Sequence, residues 1–236
     1  MTVLYLDPYF LGDALFLGGF ARDLAARAPG APLVVVHGSG EAGERAVEAL
    51  GEPAVAERGV WAVRSPAARA AVVRAARELG RSVVHELGEA GVAGVRVAGL
   101  DRGLLKRDGA ALRAGRTDWL RTLAEQGGVP VVAALAARDG TAEDADPATA
   151  AAVLARALGA DAVTALLTGR APHVEAPDGR VARLPADALG TVRGVPDADA
   201  LRRILAAGAD VRLTSLAGLR RPAERPGTLV SSRLDG

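Results

Sequence analysis

The chain contains no cysteine, which excludes disulfides, thiolate metal centres and a thiol nucleophile. Histidine is nearly as scarce, and His37, His85 and His173 leave an imidazole-built metal site little to work with. Lys106 is the only lysine, every other basic residue being arginine. A mechanism that sets two lysines around a transferring phosphoryl group therefore cannot be assembled here. Aromatic residues make up 3% of the chain, too few to offer stacking platforms for nucleobases. No apolar run approaches the roughly 18 residues of a spanning helix. Asp7 and Asp13 interrupt the start where a signal peptide would carry an unbroken apolar stretch, so a cytoplasmic location without membrane partners is expected. The 29 basic and 28 acidic residues balance to +1 with no basic block, which argues against nucleic acid as the main partner. Gly-x-x-x-x-Gly-Lys-Ser/Thr does not occur, and this argues against a P-loop fold.

What remains is a chain of 236 residues, 50% hydrophobic, long enough to bury a sizeable core of alanine, leucine and valine. Val3–Leu6 reads as a buried strand stopped by Asp7-Pro8. Leu33-Val-Val-Val-His37 is the strongest strand, running into Gly38-Ser39-Gly40. Pro66 suits the first turn of a helix reaching about Leu79, with Gly80 as its stop and a further helix ending near Gly91. Strands follow at Val95–Val97, Val129–Ala133, Ala162–Leu167 and Val211–Leu213. Between them lie helices over Thr117–Gln126, from Asp146-Pro147 through Leu158, and over Asp199–Ala207. This alternation predicts an α/β three-layer sandwich with a mainly parallel central sheet and helices on both faces. An internal boundary is expected near 134–145.

In such sheets ligands bind beyond the carboxyl ends of the strands. The loops to inspect are those at Asp7, at Gly38, Ser39 and Gly40, at Gly99–Gly103, and at Thr168. The glycine turn lets backbone amides approach a phosphate or carboxylate, and it is expected to face an open cleft. Arg64 and Arg102 are plausible anion contacts, with a solvated surface role as the bland alternative. Asp144 and Asp146 could share a divalent cation. The competing reading makes Asp146 a helix cap and leaves Asp144 solvated.

The order of these motifs resembles the amino acid kinase family, most closely its acetylglutamate kinase branch. Leu33-Val-Val-Val-His-Gly-Ser-Gly40 is similar to the family's strand and His-Gly-Gly-Gly loop. Ala98-Gly-Leu-Asp-Arg-Gly-Leu-Leu105 resembles its Gly-x-Asp-x-Gly-Leu turn. Leu166-Leu-Thr168 and Gly227-Thr228 match its Leu-Leu-Thr-Asp and closing Gly-Thr. The resemblance implies a single domain over 1–236, with a substrate-like half (1–126) and a nucleotide-like half (127–236). It also implies ATP-dependent, magnesium-assisted phosphoryl transfer to an acylated amino acid's carboxylate.

At the catalytic positions this sequence departs from the family. The N-terminal Lys-x-Gly-Gly aligns with Tyr5-Leu-Asp7-Pro8, the organising aspartate with Ala148, the Thr-Asp pair with Thr168-Gly169, and the second lysine with Asp197. Two readings stay open. The preferred one is an acetylglutamate-kinase-like protein with little or no phosphoryl transfer, serving a binding, regulatory or assembly role. The other is an active, divergent kinase, a transferase of amino-acid biosynthesis acting on an N-acylated glutamate or aminoadipate. Gly38, Ser39, Gly40 and Arg64 are then candidate contacts for a small acidic metabolite, and Thr168 and Gly169 for a nucleotide. No metal site is assigned. ATP and magnesium are expected only if the active reading holds, and a homodimer or a partner protein is implied by the family alone.

Overall fold

The computed structural model describes residues 1–27, 32–138, 140–176, 179–221, 224 and 226–232. Its main sheet has eight strands in the order Arg183–Pro185, Thr228–Ser231, Val211–Thr214, Val163–Leu166, Thr2–Tyr5, Leu33–His37, Val129–Ala133 and Gly94–Ala98. Every pairing is parallel except that of Val211–Thr214 with Thr228–Ser231. Strands rich in β-branched residues occupy the centre because both faces are covered there, so apolar character need not alternate.

The two faces carry different cores. Leu4, Val35 and Val131 pack under the helices Ala14–Ala25 and Pro66–Glu89, where Phe20, Val83 and Leu87 meet them. Val3, Tyr5, Val36 and Val132 face the helices Asp118–Glu125, Pro147–Ala157 and Ala198–Ala206, which contribute Leu120, Leu154 and Ile204. The result is the three-layer α/β sandwich that the sequence pattern predicts.

Two expectations need correction. Gly80 does not stop a helix: Pro66–Glu89 is one helix of 24 residues that runs through it. A Cβ at Gly80 would lie 3.1 Å from His37 Nε2, so glycine is there to let the helix lie close to the sheet. The region near 134–145 is not a bare interruption either. Leu135–Arg138 and Thr141–Asp144 form an antiparallel hairpin within a second, four-stranded sheet that also contains Leu105–Asp108 and Ala111–Ala114. Asp139 lies outside the described residues.

The junction between the two sheets is tight at Gly99. A Cβ there would land on the Leu135 carbonyl oxygen and 2.6 Å from Leu105 Cδ1. Backbone in a sheet cannot yield as a flexible side chain can. Gly99→Ala is therefore expected to cost about 2–3 kcal/mol, read as a lowered urea midpoint; an unchanged midpoint would contradict this packing.

Candidate functional site

The carboxyl ends of Thr2–Tyr5 and Leu33–His37 lie side by side at the middle of the sheet, since these strands pair in parallel. Beyond the first comes Asp7, only 6% exposed, whose Oδ1 accepts the Tyr9 amide at 2.9 Å and caps the short helix Pro8–Leu11. Burial raises its pKa to about 6, with the Asp197 charge adding to the effect, while the Tyr9 amide, the Tyr5 hydroxyl and Arg203 oppose it. Burial likewise pushes the Tyr5 phenol well above its ordinary value, helped by Asp7, Asp197 and Asp146. A hydroxyl that stays protonated beside a carboxylate donates to it.

Gly38, Ser39 and Gly40 stand at the carboxyl edge, but the turn is filled rather than open. Pro147 packs on Gly38, where a Cβ would be 3.0 Å from its Cγ. Ser39 is 2% exposed, and its hydroxyl accepts the Trp61 indole N–H at 2.9 Å. Gly43, one turn into the helix Gly40–Glu48, leaves room for both: a Cβ there would be 2.7 Å from Trp61 Nε1. His37 is fully buried with Nδ1 2.8 Å from the Gly38 carbonyl oxygen, and burial lowers its pKa to about 4. Because a carbonyl can only accept, Nδ1 carries the proton.

A second group of side chains closes over the same edge. Asp146 caps Pro147–Ala157, accepting the amides of Ala148 and Thr149 at 3.3 and 3.0 Å. Asp197 caps Ala198–Ala206, accepting the Ala200 amide at 2.8 Å. Arg203 joins the two, with Nε 3.2 Å from Asp146 Oδ2 and a terminal nitrogen 3.9 Å from Asp197 Oδ2. Gly59, at φ +76°, fits over this pair, where a Cβ would be 2.9 Å from the guanidinium. Gly59 and Trp61 belong to one small hairpin, Ala56–Glu57 with Val60–Trp61.

Asp144 is not solvated, contrary to expectation. It is 9% exposed, receives the Trp61 amide at 3.4 Å, and its carboxyl is raised to about 7 by burial. Asp146 fills the cap role that the sequence offered as one of two alternatives. Among the described residues no group of three His, Asp or Glu side chains is arranged to hold a metal ion.

The other candidates are dispersed. Ala148 is wholly buried in the first turn of its helix. Arg64 is exposed, and its backbone amide donates to Glu52 at 2.8 Å. Arg102 lies over the Trp119 ring, 5.2 Å from the centroid, and Lys106 is exposed on its strand. Thr168 and Gly169 line a separate cleft of about 760 Å³ with His173, Thr191, Arg193 and Gly194. Sequence reasoning missed Arg203 and Trp61. The signals were faint: an arginine flanking the apolar stripe of Leu201, Ile204 and Leu205, and one of the chain's 2 tryptophans in a loop.

With this geometry in hand, comparison gives a consistent picture. The profile of the amino acid kinase family matches residues 11–168, more than half of the chain. No curated protein sequence matches it. Among solved structures, N-acetylglutamate synthase from Neisseria gonorrhoeae, complexed with coenzyme A and L-arginine, superposes with a TM-score of 0.67 at 19% identity, covering 98% of this chain and 61% of that one. Aspartate kinase from Synechocystis gives 0.66 at 18%, covering 99% and 40%. The isopentenyl phosphate kinase product complex from T. acidophilum gives 0.61 at 16%, covering 98% and 99%. The chain thus spans about three fifths of the synthase and nearly the whole of the last kinase.

The raised carboxyls of Asp7 and Asp144 have a measurable consequence. Their folded values of about 6 and about 7 lie above the model-peptide value of 3.8, so the folded state holds these protons more tightly than the unfolded state does. The contribution of these two groups to stability is fully present below about pH 4 and is lost as pH rises through 6–7, on the order of 3 kcal/mol for each. Asn can keep the hydrogen bonds of either residue. Asp144→Asn should therefore stabilise the protein at pH 8 and change little at pH 4; urea unfolding with the same pH dependence as wild type would refute the assignment.

Proposed function

A member of the amino acid kinase family, the chain serves, we propose, as a kinase-fold binding domain for a small acidic metabolite and has given up phosphoryl transfer. The observation that carries this reading is Arg203, a cation at the carboxyl edge of the sheet that is already engaged by Asp146 and Asp197. Phosphoryl transfer depends on positive charge at the attacking and leaving oxygens. Here Tyr5 and Asp7 stand at one aligned position and Asp197 at the other, and a carboxylate there repels the charge that a catalytic cation would stabilise. Losing a single such donor typically costs about 10² to 10³ in rate.

The ligand class follows from the open arginine and from the relatives. Arg64 is exposed, and although its charge is felt by the neighbouring Glu52 it forms no ion pair within 4.0 Å among the described residues, so its guanidinium can turn to a carboxylate. The gonococcal synthase was solved with N-acetyl-glutamate and with L-arginine, amino-acid ligands of the kind proposed for this chain. A regulatory or assembly role in cytoplasmic amino-acid biosynthesis fits such a domain. No helix among the described residues is long and apolar enough to cross a membrane.

One feature favours the second reading, a divergent acetylglutamate-kinase-like transferase. The cleft beside Thr168 and Gly169, with Arg193 on its wall, is large enough for a nucleotide.

Two measurements separate the readings. Incubation with ATP, magnesium and N-acetylglutamate should release no ADP above background; turnover that disappears in Arg203→Ala would establish the active kinase. Calorimetry should show N-acetylglutamate binding that weakens at least tenfold in Arg64→Ala, and absence of binding in the wild type would remove the ligand assignment.

A further inference from the structure

At the free edge of the main sheet the helix Pro66–Glu89 and the strand Gly94–Ala98 enclose a groove of about 470 Å³. Four arginines line it. Arg74, Arg77 and Arg81 follow the i, i+3, i+7 spacing that puts side chains on one helical stripe, spanning about 10 Å at 1.5 Å per residue. Arg96 reaches the same groove from the edge strand. The floor is Ala98 and Ala133, register partners whose small side chains leave the space open.

The two acidic residues that line the groove are already committed. Glu78 pairs with Arg81 on its own helix, and Asp101 accepts the Ala98 amide at 2.8 Å. Arg74, Arg77 and Arg96 make no ion pair among the described residues. Four guanidiniums against two carboxylates leave the groove net positive, and an added anion relieves that excess. A second copy docked about a two-fold axis on this stripe would set the arginine row near its own image, so a second copy is the less favourable occupant.

The row continues inward to a buried acceptor. His37 is the register partner of Ala133 on the neighbouring strand and shares its face. Its Nδ1 proton is given to Gly38, and Nε2 has no partner among the described residues. A Cβ added at Gly80 would lie 3.1 Å from that nitrogen and 3.7 Å from Arg96 Cγ, so the imidazole stands just behind the groove wall formed by Arg96.

We propose that this groove is an anion-binding site for a small molecule carrying two or more phosphate groups. Planar guanidiniums bind phosphate oxygens in bidentate fashion, and a row about 10 Å long suits adjacent phosphates better than a single carboxylate. The site is independent of the reading given for the Arg64 face.

Inorganic tripolyphosphate is the probe. Titration calorimetry in 50 mM salt should give one saturable site that weakens steeply with added salt. The double variant Arg77→Gln, Arg96→Gln should bind at least tenfold more weakly with an unchanged melting temperature. Arg113→Gln, which removes a surface arginine paired with Asp108, should bind as wild type, as should Arg193→Gln in the Thr168 cleft. ATP binding more tightly than tripolyphosphate would mark a nucleotide as the natural source, and equal or weaker binding a polyphosphate without a nucleoside. Unsaturable binding, an equal loss in Arg113→Gln, or loss in Arg193→Gln alone would overturn the proposal. So would a tetra-glutamate peptide binding as tightly, or a double variant that alters sedimentation while leaving phosphate binding intact.

Discussion

Carboxylates buried at the ends of parallel strands are tolerated only where a cation or a set of amides meets them, and in this protein Arg203 is that cation. Asp146 and Asp197 each cap a helix on the same face of the sheet, and the guanidinium between them ties Pro147–Ala157 to Ala198–Ala206. Removing Arg203 would leave Asp146, with a side chain 9% exposed, beside Asp197 with only the donors of its own helix cap to meet its charge. The packing above depends on it as well. The hairpin carrying Gly59 can lie over the pair because glycine adds no Cβ there, and that hairpin delivers Trp61 to Ser39 and Asp144.

The same arrangement explains the electrostatics of the edge. An amino acid kinase that transfers phosphate needs this edge positive and its glycine turn open to the ligand. Here Asp7 and Tyr5 bring a shared, reluctantly ionised pair to the end of the first strand, and Trp61 and Pro147 occupy the space beside the glycines. The fold is that of the family, and the proposed loss of transfer rests on the reversed charge at this edge. Exposed arginines also lie away from this edge, among them Arg64 and those of the groove of Arg74, Arg77 and Arg96.

Much of the fold was legible because its central strands are unbroken runs such as Leu33–Val36, which only a doubly covered sheet accommodates. The cap at Asp146 with its following helix was readable from a local pattern too, an aspartate set before a first-turn proline. Gly80 was misread because a helix-internal glycine chosen for close packing looks identical to a helix stop until the partner, His37, is known. The hairpin of Leu135–Arg138 and Thr141–Asp144 escaped notice because alanine-rich strands carry no β-branched signal. At the site, the scarcity of lysine was plain from composition. The answering cation was not, because Arg203 meets Asp146 across 57 residues of chain, a contact that no local pattern encodes.

The central claim, that the transfer edge is held closed by its own ion pair, is tested most directly by a double-mutant cycle on Asp146 and Arg203. Urea unfolding of Asp146→Asn, Arg203→Gln and the double variant at pH 7 isolates their coupling. The account expects a coupling energy of about 1–3 kcal/mol, with the double variant less damaged than the single changes sum to. Simple additivity, to within about 0.3 kcal/mol, would show that Arg203 does not hold this edge and would leave it free to meet a phosphate.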